Sequence, residues 1–375
     1  MTNLERIRKN NQKLDECISK ANNLPNIGNG EGAVSVKKKD VNFYDYDGTL
    51  LYSYTVGEAQ ALTELPPLPS QPGLICQEWN YDLETVKSYN RPIDIGATYI
   101  TDDGKTRLYI NVLNQSYLTV QLCISTEKSN SEFTIDWGDG AVETFTSSTD
   151  DSEFYDHYYL TTGEYVINID CKETQLCANL ETLYEVLERA EIGANFDFDA
   201  VDCVKLKYIT IPVNPFVTAS FYCCHSLRAI ILPKGSQNLY YGNFYYNTAL
   251  EVISIPHNIS SISGYAFYYC MSLRNLTLPE GLTTINDDAF SECYGLNSIV
   301  FPSSLLSISG WAFNGTGLSI FDFSCAAIVP SISYDTIVPV TNNFVIKVPS
   351  ALYDEWISAT NWCELADLIV PVAIV

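Results

Sequence analysis

The chain has 375 residues, 46% of them hydrophobic, which is enough for two or three domains with real cores. Its formal charge is −24, with 45 acidic against 21 basic residues, so nothing would neutralise phosphates, and nucleic acid is excluded as a partner. No run approaches the roughly 18 apolar residues of a membrane helix, so no membrane insertion is predicted.

Residues 2–24 read as one helix. Leu4, Ile7, Asn11, Leu14 and Ile18 alternate spacings of three and four, the rhythm of a coiled-coil seam, with Asn11 at a register-fixing core position. The same pattern fits an amphipathic helix lying on its own chain or on another protein. A homo-oligomer or a docking element follows from either, with a hinge at 26–32. The first twenty residues are polar and charged, so no export signal is predicted there.

Residues 33–105 turn to β. Phe43, Tyr44 and Tyr46 precede Asp47-Gly48, and Leu50, Leu51, Tyr52 and Tyr54 follow, which predicts a hairpin with both turn residues at positive φ. Leu65 to Gly73 is proline-rich and extended. Strand-like text resumes at Thr98, and Asp103-Gly104 marks a turn before Arg107. The stretch from Val41 to Ile110 resembles a module of tail-region and surface proteins of gut bacteria and their phages, which implies attachment.

Residues 106–172 carry Phe133-Thr-Ile-Asp-Trp-Gly-Asp-Gly140, then Asp156-His157-Tyr158-Tyr159, then Gly163-Glu-Tyr165 and an alternating strand. Ile135 and Trp137, and Tyr165, Ile167 and Ile169, alternate inward. The motif set resembles a PKD-like domain, which implies a small immunoglobulin-like sandwich acting as a spacer or adhesion module.

Residues 173–375 are periodic. Phe221, Phe244, Phe267, Phe290 and Phe313 stand 23 apart, and Pro233, Pro256, Pro279 and Pro302 keep the interval. A fixed period in the twenties marks a solenoid whose units bury their apolar faces only by stacking. Leu227-Arg-Ala-Ile-Ile-Leu-Pro233 sets the template: the first, fourth and sixth positions point in, the third and fifth face out, and proline ends the strand. Cys203, Cys224, Cys270 and Cys293 each lie three residues before a repeat leucine, with Asn247 in the same slot. Those thiols read as reduced and structural. The pattern over 192–323 resembles the BspA-like leucine-rich repeat of bacterial surface proteins and some phage proteins. In the first rung, Asp-Ala-Val stands in the phenylalanine slot. Asn179 to Arg189 shows helical spacing and reads as the N-terminal cap; Phe344 to Trp362 reads as a strand and a helix N-capped by Ser350, the C-terminal cap.

Few constellations suggest chemistry. Asp45-Tyr-Asp47-Gly-Thr49 copies the nucleophile motif of haloacid-dehalogenase-like phosphatases, but a strand and a proline-rich segment follow where that chemistry needs a helix. Asp136 and Asp139 suit calcium in type, yet turn carboxylates are more often satisfied by backbone amides. Cys223-Cys224-His225 lacks zinc spacing, and His157, His225 and His257 have no nucleophile partner. No catalytic residue, metal site or cofactor is predicted. The candidate binding surface is aromatic: Tyr245, Tyr246, Tyr265, Tyr268, Tyr269 and Trp311 recur at related repeat positions, to contact a ligand or to pack as ladders. The strand-side row of Thr210, Ile231, Ser254, Thr277 and Val300 is the other candidate face.

The sum is a mainly β, multidomain, non-enzymatic adhesion or recognition protein. The resemblances imply a phage or prophage virion component that binds a bacterial surface glycan or protein and meets other virion proteins through its N-terminal region. A bacterial cell-surface adhesin and a purely structural virion part are the alternatives.

Overall fold

The computed structural model describes residues 36–373 apart from 149–150, 173, 214–219, 237, 334 and 337–343. The N-terminal helix with Leu4, Ile7, Asn11, Leu14 and Ile18, and the hinge, lie outside the described residues.

The first module is a four-stranded sheet of β1 (Val41–Tyr44), β2 (Leu50–Tyr54), β3 (Leu74–Trp79) and β4 (Ile93–Thr101), ordered β2-β1-β4-β3. Two short helices, α1 (Val56–Gln60) and α2 (Leu83–Ser88), connect its strands. Thr55 caps α1 through a capping box and Asp82 caps α2 by accepting from Thr85 N. Phe43 is the centre of its core, with Tyr52, Tyr54 and Trp79 edge-on around it. The predicted hairpin is present between β1 and β2, but only Gly48 takes positive φ (85°), because a bulge beside Tyr44 lengthens the loop to Asp45–Thr49. The Asp103-Gly104 turn does not close a hairpin: β4 ends in one sheet and β5 begins another.

The second module is a two-sheet sandwich. One sheet is built from β5 (Thr106–Val112), β7 (Glu132–Asp136), β8 (Val142–Thr146), β10 (Gly163–Asp170), β12 (Leu187–Glu191) and β14 (Tyr208–Ile209). The other holds β6 (Thr119–Thr126), β9 (Glu153–Tyr158), β11 (Leu176–Asn179) and β13 (Phe196–Asp199). Ile135, Trp137, Ile167 and Ile169 are buried between them, and Tyr165 packs against that core half-buried. The helix expected over Asn179 to Arg189 is absent. Leu180–Leu183 forms one 3-10 turn and Leu187–Glu191 is a strand antiparallel to β5. Leucines spaced by three and four here reflect a tight turn followed by a strand, all turned into the same core. The cap is therefore the sandwich itself, since β12 pairs in parallel with β14, the first rung.

The solenoid follows as parallel rungs. Strands Asn275–Thr277, Ser298–Val300, Ile320–Asp322, Val345–Pro349 and Ile369–Val372 form one sheet. Ser261–Ile262, Thr284–Ile285, Ser307–Ile308 and Ser331–Ile332 form a second, parallel ladder. Leu276, Ile299, Phe321 and Ile346 are in register. The phenylalanines stack through the interior: Phe221–Phe244, Phe244–Phe267, Phe267–Phe290 and Phe290–Phe313 lie 5.1–5.7 Å apart and within 12° of parallel. Phe198 extends the ladder by an edge-on contact to Phe221 at 5.8 Å. In the first rung Ala200 holds the phenylalanine slot, its carbonyl taking the Cys224 thiol as that of Phe244 takes Cys270, so Asp-Ala-Val stands where the sequence placed it.

The cysteines are a second ladder. Cys203, Cys224, Cys270 and Cys293 donate from Sγ to the carbonyls of Leu180, Ala200, Phe244 and Phe267 at 2.8–3.2 Å. No disulfide joins any described cysteine, and burial pushes the Cys270 and Cys293 thiols well up, which keeps the donating proton in place. At the far end, Trp356 of α3 (Tyr353–Ser358) and Trp362 are buried against Phe323, and Trp362 donates to Pro330 O at 2.7 Å. Ser350 opens a 3-10 turn there and makes no capping bond, so it is not the N-cap expected.

Candidate functional site: two faces of the solenoid

The strand face is not free. The first module's β4 and its neighbouring loops lie across it. Asn80 Nδ2 donates to Leu232 O and to Ser254 Oγ, both at 2.9 Å, and Tyr81 donates its hydroxyl proton to Ile255 O at 2.7 Å. Buried Arg91 pairs with Glu280 at 2.7 Å and donates to Leu278 O. Ser254 Oγ donates to Asp94 O at 2.6 Å, and Asp94 N donates to Thr277 Oγ1 at 3.0 Å, bridging the interval where rungs Val252–Ser254 and Asn275–Thr277 belong to different sheets. Gly96 admits this approach: a Cβ there would lie within the envelope of Ile231, 2.8 Å from its Cγ1. Of the row proposed from sequence, Ile231 and Ser254 are sealed beneath the module, and Thr210 is buried at the sandwich junction, where its Oγ1 accepts from Ile192 N at 2.9 Å. That row is corrected from a binding face to an internal interface over those rungs. The row looked mild and uncharged because it is buried by its own chain.

The other side of the rungs carries the aromatics. Two backbone positions per rung take left-handed φ near 60°: Cys223, Tyr246, Tyr269 and Glu292 in one slot, and Gly242, Tyr265, Asp288 and Trp311 in another. Each turns its N–H onto the next rung, as Tyr246 N does to Tyr268 O at 2.8 Å and Tyr265 N to Asp287 O at 3.1 Å. Side chains beside these turns are thrown outward in rows. Tyr222, Tyr245 and Tyr268 stack at 4.7 and 5.1 Å, within 13° of parallel. Tyr246 and Tyr269 stack at 4.5 Å. Tyr265 leans between Tyr241, Tyr245 and Tyr268.

Five of the six tyrosine and tryptophan residues proposed from sequence are therefore brought together. Trp311 is 46% exposed in the Tyr265 slot two rungs on, with Asp288 between, and no ring contact among the described residues joins it to the tyrosines. Tyr222 and Tyr294 were missed; counting back one period from Tyr245 finds Tyr222. Burial pushes the Tyr268 hydroxyl up to about 12 and raises that of Tyr245. The charged side chains acting on these phenols are acidic: Asp202 on Tyr222, Asp288 and Asp287 on Tyr265, and Glu292 on Tyr268.

The remaining lures resolve structurally. Asp45 is buried, accepting from Tyr46 N at 2.8 Å and Gln71 Nε2 at 2.5 Å, and a turn and β2 follow it. Asp136 and Asp139 accept backbone amides of Gly138 and Ala141 at 3.0 Å, and His157 pairs with Asp139 while stacking on Trp137. Among the described residues no three His, Cys, Asp or Glu side chains gather as metal ligands, and no helix is long and apolar enough to cross a membrane.

No curated protein matches the chain. Among solved structures it is similar to a leucine rich cell surface protein of Faecalibacterium prausnitzii A2-165, with 23% identity, 42% of this chain and 39% of that one covered, and a TM-score of 0.31. It is likewise similar to a leucine-rich repeat protein of T. pallidum, with 20% identity, 46% and 77% covered, and a TM-score of 0.31. The chain spans well under half the length of the first of these. The family model of the BspA type leucine rich repeat region matches residues 195–331 in six copies. Phenyl ladder, thiol ladder and parallel rungs coincide with that match: this part of the chain is a BspA type leucine-rich repeat solenoid.

Proposed function

We propose that the protein is a non-enzymatic cell-surface adhesion or recognition protein of BspA type, contacting a glycan or protein on another surface through the tyrosine side of its solenoid. One observation carries this reading: among the described residues the chain covers part of its own strand face and leaves the aromatic rows, with Tyr241 73% exposed, uncovered. Solenoids of this kind present long rigid walls, and exposed contiguous aromatics mark contact surfaces. The sandwich, with its PKD-like motifs, serves as spacer and end cap. The N-terminal segment supplies oligomerisation or docking, which would multiply weak contacts. The cell-surface setting is favoured over a virion because the repeats match the BspA type model, a repeat of bacterial surface proteins, while the phage setting rests on the resemblance of the N-terminal modules.

The test is saturable binding of the labelled full chain to a panel of bacterial and epithelial cells. Binding should fall with Tyr241→Ala/Tyr265→Ala at unchanged thermal stability. Absence of saturable binding to every cell type would refute the adhesin.

A further inference from the structure

The geometry of the tyrosine rows restricts what they can hold. The stacked rings of Tyr222, Tyr245 and Tyr268 turn their faces toward one another along the solenoid axis, so those faces are largely occupied. A protein hot spot wants an aromatic anchor seated in a desolvated pocket, and a sugar platform of the usual kind wants an open ring face. This surface offers instead ring edges and hydroxyls. Among the described residues no protein group takes the hydroxyls of Tyr222, Tyr245, Tyr246 and Tyr268, and none of the four is buried. The hydroxyls therefore form a row of free donors and acceptors advancing by one rung, 4.7 and 5.1 Å between ring centres. That step is close to the length one pyranose adds to an extended chain of equatorially linked sugars. A repeating polymer laid along the axis meets the same hydroxyl at each unit.

Charge narrows the choice further. The charged groups acting on the rows are Asp202, Asp287, Asp288 and Glu292, and the whole chain carries −24. Uronate, sialate or phosphate groups would be repelled, while neutral and amino sugars would not.

We propose that the Tyr222–Tyr245–Tyr268 ladder, flanked by Tyr246, binds an extended glycan free of acidic groups, aligned with the solenoid axis and contacted through the phenolic hydroxyls. The inference rests on the adhesin reading and names its ligand. Single exposed hydrogen bonds contribute little, so affinity comes from length, and three rungs of ladder set where the gain stops.

The experiment titrates the full chain calorimetrically with neutral, amino and uronate-bearing oligosaccharides, from disaccharides to octasaccharides. Affinity for neutral or amino chains should climb to about the tetrasaccharide and then level, with uronate chains far weaker. Tyr245→Phe/Tyr268→Phe keeps the stacked rings and removes two hydroxyls, and should weaken binding about tenfold at unchanged melting temperature. Equal binding by wild type and double variant, preference for uronate chains, or no binding to any oligosaccharide overturns the inference. Cell binding that is insensitive to the Tyr→Phe pair and destroyed by proteolysis of the cells, indicating a protein partner, overturns it while leaving the adhesin standing. Oligosaccharide binding without cell binding does the reverse.

Discussion

Substituting Gly96 by alanine tests whether the first module truly sits on the solenoid. Gly96 lies within β4, and the methyl added there would enter the space of Ile231, itself 4% exposed. Carbon atoms prefer about 3.5–4.0 Å, whereas Ile231 Cγ1 would lie 2.8 Å away, so the module must lift or the isoleucine must leave its rotamer. Overpacking of this order costs about 1–3 kcal/mol. Ile231→Ala alone opens a void beneath β4 and costs about 2–5 kcal/mol. In the double variant the new methyl occupies part of that void, so the two losses should fall short of their sum by about 1–2 kcal/mol. Chemical denaturation of the four proteins in the cycle gives the coupling directly, and limited proteolysis of residues 36–101 gives a second reading, with cleavage faster in each single variant than in the pair. Additivity within about 0.5 kcal/mol would mean the residues do not touch, and the covered strand face would fall with it.

Asn247 is buried in the thiol slot with neither amide oxygen nor nitrogen partnered. Asn247→Cys should supply the Sγ–H donor its neighbours use and raise stability by about 1 kcal/mol, the relief of an unsatisfied amide less a small void, measured by urea denaturation. Phe267→Ala, at the middle of the phenyl ladder, should cost about 3–5 kcal/mol, seen as a lower denaturation midpoint. The carboxyl of Asp82 is held down to about 2 by hydrogen bonds to Thr85 and, secondarily, by Lys234. Its folded value lies below its unfolded one, so its stabilisation is complete above about pH 4 and is lost as pH falls from there toward 2. Asp82→Asn should flatten that part of the acid-denaturation profile, and an NMR titration of Asp82 with its midpoint at the ordinary carboxylate value would contradict the assignment.

The solenoid was legible because stacking imposes one residue type per slot: the inward leucines, isoleucines and phenylalanines of each rung are buried where the period placed them. The shortened first rung was legible too: Leu206 to Leu227 and Cys203 to Cys224 advance by 21, and alignment on them puts Ala200 in the phenylalanine slot, while Phe198 of β13 closes the ladder edge-on from the sandwich. The supposed cap helix failed because a 3-10 turn and a strand, both facing one core, imitate helical spacing over a single period. The seam between module and solenoid left almost no periodic trace, since it joins residues more than 130 positions apart, as Asn80 and Leu232 do. The one mark in the text was Gly96, a glycine inside a strand. The tyrosine rows were half legible: recurrence placed Tyr245, Tyr246, Tyr265, Tyr268 and Tyr269 on one side, but only the left-handed turns explain why they emerge there.

The seam also decides how this chain carries load. A pull entering at the first module does not travel end to end through the rod. It passes sideways through Asn80, Tyr81, Arg91 and Asp94 into rungs between Leu232 and Glu280, near the waist of the stack. Tension would therefore shear a patch of many hydrogen bonds at once rather than unzip rungs one at a time, and the last strands, beyond that patch, would stay slack while the anchor strains.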